Sequence, residues 1–166
     1  DTHIVSPIDF GPAGARYPTL YFRRTFTVSS AGAYQGLITR LLRDDGAIVY
    51  LNGTQLVVDG VGTPPAFSAF AIQTVDAANE STYFQTSVPA TALVNGTNVL
   101  AVEVHQVNVT SSDLGFDLEV EGVVDTVPPR VDGIDPPPSS VVLDLNFINV
   151  TFDDAVLGVE AADLLI

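Results

Sequence analysis

The chain has 166 residues, with 20 Asp and Glu against six basic residues, all Arg, for a net charge of −14. It has no Cys, which excludes zinc fingers, disulfide miniproteins and thiol enzymes. The acidity excludes phosphate-backbone binding, which runs on Lys and Arg, and no apolar run approaches the roughly 18–20 residues of a membrane span.

The elements in chain order are all strands. Tyr21–Val28 is rich in aromatic and β-branched residues, and Gly36–Arg43 and Ala47–Leu51 follow. Asp44-Asp45-Gly46 between the last two reads as a turn. Asn52-Gly53 predicts a tight hairpin, because a type I′ turn needs positive φ at both central residues. Gln55–Val58 is its return strand, and Gly60–Ser68 is a Gly/Pro loop. Ser81–Val88 is a strand, Pro89–Val94 a single helical turn, and Asn95-Gly96 a second tight turn. Asn98–Gln106 and Leu114–Glu121 complete the set, with a polar loop at Val107–Asp113 between them.

Alternation assigns faces. Leu114, Phe116, Leu118 and Val120 share one side of the last strand, with Asp117, Glu119 and Glu121 on the other. Leu100, Val102 and Val104 face in, while Glu103 and His105 face out. Arg24 shares parity with Phe22 and Phe26, so a bulge or a partly buried Arg with a carboxylate partner is expected there.

A composition shift divides the chain. Asp125-Thr126-Val127-Pro128-Pro129 reads as a linker, and Pro136-Pro137-Pro138 follows. The predicted domains are 1–124 and 125–166. Charge divides nearby, at net −3 over residues 1–112 and −11 over 113–166. With no Met at position 1, a processed chain or an excerpt is expected.

Three runs carry a family resemblance. They are Tyr21-Phe22-Arg23-Arg24-Thr25-Phe26-Thr27-Val28, the run Asp44 to Gly53, and Asn95-Gly96-Thr97-Asn98-Val99-Leu100-Ala101-Val102-Glu103-Val104. In that order, closed by Ser111 to Glu119, they resemble the galactose-binding-domain-like jelly roll over roughly residues 17–122. The resemblance implies a non-catalytic accessory module of a large secreted bacterial protein, or the sugar-binding domain beside a glycoside hydrolase. The stretch from Pro128-Pro129-Arg130-Val131 to Val150-Thr151-Phe152-Asp153 resembles the opening of a bacterial Ig-like domain, and residues 154–166 continue its pattern. The expected fold class is therefore all-β: a jelly-roll β-sandwich plus a partial Ig-like β-sandwich segment.

An Ig-like sandwich needs about 100 residues, so this segment is unfinished. Val141, Leu143, Leu145, Phe147, Val150 and Phe152 would lack a facing sheet. Either the chain is an excerpt, or a neighbouring subunit supplies strands by edge pairing. The second alternative makes these six residues assembly contacts, in an extracellular or cell-surface structural or adhesive role.

Candidate chemistry is sparse. An acyl-transfer triad needs His, and only His3 and His105 exist, with no G-x-S-x-G elbow. His105 near Ser111, Ser112 and Asp113 reads as a polar strand end, so no catalysis is expected. Glycan binding needs aromatic platforms and hydrogen-bonding groups. Tyr34, Phe67 and Phe70, with His105 and Asn108, are the candidate contacts; Tyr17 and Tyr83 are further aromatics. Ca²⁺, a hard cation that takes oxygen ligands, would suit Asp44 and Asp45. A second acidic group joins Asp113, Asp117, Glu119 and Glu121 to Glu103 if Asn98–Gln106 lies beside the last strand; a solvated acidic face is the alternative.

Overall fold

The computed structural model describes residues 6–124, 126–154 and 156. The chain divides into two compact units, Asp1–Asp125 and Thr126–Ile166. His3 and most of 154–166 lie outside the described residues.

The first unit has seven strands: β1 (Thr19–Val28), β2 (Tyr34–Asp44), β3 (Gly46–Leu51), β4 (Thr54–Asp59), β5 (Phe84–Pro89), β6 (Gly96–His105) and β7 (Gly115–Val124). All pairings are antiparallel. One sheet runs β1-β6-β3-β4 and the other β5-β2-β7. The chain changes sheet at every step except the β3–β4 hairpin. That hairpin turns at Asn52 (φ 51°) and Gly53 (φ 83°), as the Asn-Gly pair requires. The helical turn expected after Pro89 is a 3₁₀ turn at Ala90–Ala92.

The inner faces of the two sheets meet in two clusters. Leu41 of β2 packs with Ala47 and Val49 of β3 and with Val102 and Val104 of β6. Leu37, Leu51, Val88 and Ala90 form the other cluster. Burying each large aliphatic side chain contributes roughly 1.5–3 kcal/mol. The last strand behaves as its alternation predicts: Leu114, Phe116, Leu118 and Val120 all pack inward. The protein is thus an all-β sandwich.

One expectation of strand placement needs correction. Asn98–Gln106 does not lie beside the last strand. β6 sits between β1 and β3, while β7 pairs with β2 in the other sheet. Glu103 is therefore separated from Asp117 and Glu119 by the sandwich. Alternation tells which way a side chain points; it does not tell which strand is its neighbour.

Arg24 also differs from expectation. The β1–β6 register runs unbroken from Thr19↔His105 to Val28↔Gly96, so there is no bulge. Arg24 is exposed and has no carboxylate partner among the described residues. It escapes burial because β1 is a sheet edge.

The passage from β2 to β3 is abrupt. β2 ends at Asp44 and β3 begins at Gly46, so Asp45 alone carries the chain from one sheet to the other. Gly46 is held tightly, since a Cβ there would stand 2.7 Å from the Gly60 carbonyl oxygen.

In the second unit, β8 (Val131–Asp135) pairs antiparallel with β9 (Asn149–Phe152). Asp153 closes the pair, accepting from the Arg130 amide at 2.7 Å and donating its own amide to the Arg130 carbonyl at 3.0 Å. Val141, Leu143, Leu145, Phe147 and Val150 are exposed, and Phe152 is half-buried. Of these six residues only Val150 and Phe152 lie in a strand.

Candidate functional site

The outer face of the four-stranded sheet carries the most developed surface. On β1, Tyr21 and Arg23 have the parity opposite to the core-facing Phe22. Register places Tyr21, Glu103 and Ile48 in one cross-strand row and Arg23, Ala101 and Tyr50 in the next. Ala101, the small residue at the centre, leaves a hollow of about 340 Å³. Tyr21, Arg23, Tyr50 and Glu103 border it.

A hydrogen-bond chain crosses this face. The Tyr50 hydroxyl donates to Glu103 Oε1 at 2.9 Å, and Glu103 Oε2 lies 3.3 Å from His105 Nε2. His105 Nδ1 is 2.9 Å from the Ala69 carbonyl and 3.0 Å from Thr19 Oγ1. A carbonyl only accepts, so Nδ1 carries a proton. Thr19 Oγ1 in turn donates to the Phe67 carbonyl at 2.8 Å. Strand residues thereby fix the segment 67–69 over the end of the sheet. The Phe67 ring then lies near-parallel to Tyr21, with centroids 6.3 Å apart and planes at 16°. Both rings stay open to solvent, 58% and 59% exposed.

Tyr50 is held in the neutral, hydrogen-bonding form. Burial first, and then the Glu103 hydrogen bond, push the Tyr50 hydroxyl up to about 12. Tyr21 is also raised, by burial and then by the Glu103 charge.

The expected glycan contacts divide. Phe67 is on this face. Phe70 is half-buried on the same segment. Tyr34 is packed against core residues, its ring lying where a Cβ at Gly122 would stand 2.4 Å away. Only glycine fits beneath it, and the ring is committed to packing. His105, expected as an outward contact, is fully buried because the 67–69 segment covers it. It positions Phe67 and cannot touch a glycan. Asn108 is exposed and folds onto its own turn, accepting from the Thr110 amide and hydroxyl at 2.8 and 2.7 Å. Tyr21, Arg23 and Tyr50 were not singled out as site residues. Their signal was the outward parity of two tyrosines and an arginine on strands valued only for propensity.

The acidic residues are dispersed. Glu103 is engaged on the outer face, and Asp117 accepts from the Tyr83 hydroxyl. Glu119 pairs with Arg40 at 3.1 Å, and Asp113 accepts from Ser112 Oγ at 2.8 Å. Asp45 is buried with both oxygens occupied, by the amides of Val75 (3.1 Å) and Val107 (2.7 Å). Beside it, burial and then the Asp45 charge push the buried Asp44 carboxyl up to about 7, with smaller contributions from Asp113 and Glu80. Among the described residues, no group of three or more acidic or His side chains could hold a metal ion.

No family model and no curated relative matches the chain. Among solved structures, it is similar to a β-D-mannosidase from Dictyoglomus thermophilum, at 18% identity and a TM-score of 0.33. The match covers 52% of this chain and 9% of that one, so the chain spans under a tenth of its length. That likeness is too slight to assign a family or an activity. Among the described residues no helix is long and apolar enough to cross a membrane.

Proposed function

We propose that this is a non-catalytic glycan-binding module of the galactose-binding-like kind, carried by an exported bacterial protein. The observation that carries the reading is the exposed Tyr21–Phe67 pair beside the hollow bordered by Arg23, Tyr50 and Glu103. Sugar rings present apolar C–H faces and equatorial hydroxyls. A flat aromatic surface receives the first and fixed donors and acceptors receive the second. The aromatic surface is preorganised, since Thr19 and His105 hold the backbone of 67–69. Less ordering entropy is then lost on binding.

Affinity electrophoresis in polysaccharide gels, repeated with Tyr21→Ala and Phe67→Ala, tests the reading. Retardation of the parent protein is expected, with at least about tenfold weaker binding by either variant. Both side chains are exposed, so melting temperatures should move little. Variants that bind as the parent does would refute the platform.

A second reading rests on the exposure of Val141, Leu143, Leu145 and Phe147 in the second unit. It makes 126–166 a partner for strands of a neighbouring chain. Sedimentation should then show concentration-dependent association that Leu143→Glu with Phe147→Glu abolishes; a monomer at all concentrations rejects it.

A further inference from the structure

We infer that the ligand is an acidic saccharide, a chain bearing uronate carboxylates, which wraps the β1 edge and pairs with Arg23 and Arg24. This rests on the glycan-binding reading and adds the charge and path of the ligand.

Cations are scarce here and most are spent. Arg16 donates to backbone carbonyls of Gly11 and Ser111 and lies over the Phe10 ring. Arg40 pairs with Glu119 and Glu121, and Arg43 pairs with Asp59 while covering the Phe84 ring. Among the described residues of the first unit, Arg23 and Arg24 alone have no such side-chain partner. They are adjacent and both exposed.

Between them the two arginines border two clefts. Consecutive strand residues point to opposite faces. Arg23 borders the outer hollow, and Arg24 borders a second opening of about 280 Å³ between the edges of β1 and β7. Phe22 and Phe116 form the floor of that opening, their ring centroids 4.5 Å apart. Arg23 borders both openings, so the two share a rim across one strand.

Each cleft also contains one carboxylate, and each carboxylate is already bound. Glu103 is held by Tyr50 and faces His105, and Asp117 is held by Tyr83. Neither is paired with the arginines. Two guanidinium groups thus face two open clefts with their donors free. Carboxylate is the group their planar geometry receives best, through paired charge-assisted hydrogen bonds. Charged residues also protect an exposed sheet edge, a role any charge could fill. Edge protection does not explain why the neighbouring acids are bound elsewhere.

The test compares oligogalacturonate with a neutral galactan oligomer of equal length, by calorimetry on the full chain. The acidic oligomer is expected to bind at least about tenfold more tightly at low salt. About 0.5 M NaCl should erase most of that advantage. Arg24→Gln should weaken the acidic oligomer about tenfold and leave the neutral one unchanged, whereas Arg23→Gln, at a residue that also borders the hollow, should weaken the acidic oligomer about tenfold and the neutral one less. Melting temperatures of both variants should match the parent, which separates lost contact from lost fold. Equal or tighter binding of the neutral oligomer overturns the inference and leaves the glycan-binding reading standing. Binding of neither, and of no other polysaccharide, overturns both.

Discussion

Replacing Asp45 by Ala is expected to lower the melting temperature by about 10 °C, at a cost of about 3–4 kcal/mol. Asp45 is the whole connection between β2 and β3, so the two sheets of the sandwich are joined there by one residue. Its carboxylate accepts from the amides of Val75 and Val107. Val75 and Asp45 are buried, so water has little access to replace the lost acceptors. Each orphaned amide costs about 1–3 kcal/mol. Part of that cost is returned because Asp44 loses its charged neighbour. Asp45→Asn keeps one acceptor oxygen and removes the repulsion, so about half the loss is expected. Hydrogen exchange should locate the effect: the amides of Val75 and Val107 should lose protection first. The Tyr21–Phe67 face should survive, because Phe67 and Ala69 are held separately by Thr19 and His105. Glycan binding by Asp45→Asn below its melting temperature checks that separation. A melting temperature equal to the parent's would mean that the carboxylate does not hold the switch.

The fold was largely legible because its signals are local. Asn52-Gly53 states its own dihedral requirement, and the alternation of Leu114 to Glu121 assigns a face within one strand. The placement of β6 was not legible. Val102 and Val104 mark an inward face equally well next to β1 or next to β7, and only the closed sandwich decides. Arg24 shows the same limit: its parity was read correctly, but its exposure depends on β1 being an edge. The site was legible in fragments. Phe67 stood out as an aromatic residue in a Gly/Pro loop. Tyr21 did not, because aromatic residues are enriched in strands generally. His105 was misplaced because the segment that buries it starts more than thirty positions away, at a carbonyl no side-chain pattern reveals. The second acidic cluster was proximity in sequence, and its members found separate partners, while Asp44 and Asp45 stayed together as a coupled pair.

Asp44→Asn should stabilise the protein above neutral pH and leave it unchanged in acid. The Asp44 carboxyl is raised from 3.8 to about 7. A carboxyl with a raised folded pKa binds its proton more tightly in the folded state. Stability is therefore highest below the unfolded value, falls as pH rises from about 4 to about 7, and stays at the lower level beyond. A shift of this size corresponds to about 2–4 kcal/mol, the lower end allowing for the proton shared with Asp45. Burial is the first cause, with Asp45, then Asp113 and Glu80, adding negative charge around it. Asparagine has the shape of the protonated acid, and its amide can donate to Asp45 as the shared proton does. It cannot ionise, so the loss between pH 4 and 7 disappears. Urea unfolding across pH 4–8, followed by tyrosine signals, measures the difference. The curves of parent and variant should coincide near pH 4 and separate by about 2 kcal/mol at pH 8. Carboxylates remote from Asp44 titrate alike in both proteins and cancel in the comparison, so the separation reports Asp44 and the acids coupled to it. Parallel curves would mean that Asp44 ionises in the fold as freely as in the open chain. The sheet switch would then owe its geometry to Asp45 and Gly46 alone. A separation of the expected size would instead make the acidic pair a site where the fold gives up stability to pass between its sheets in a single residue.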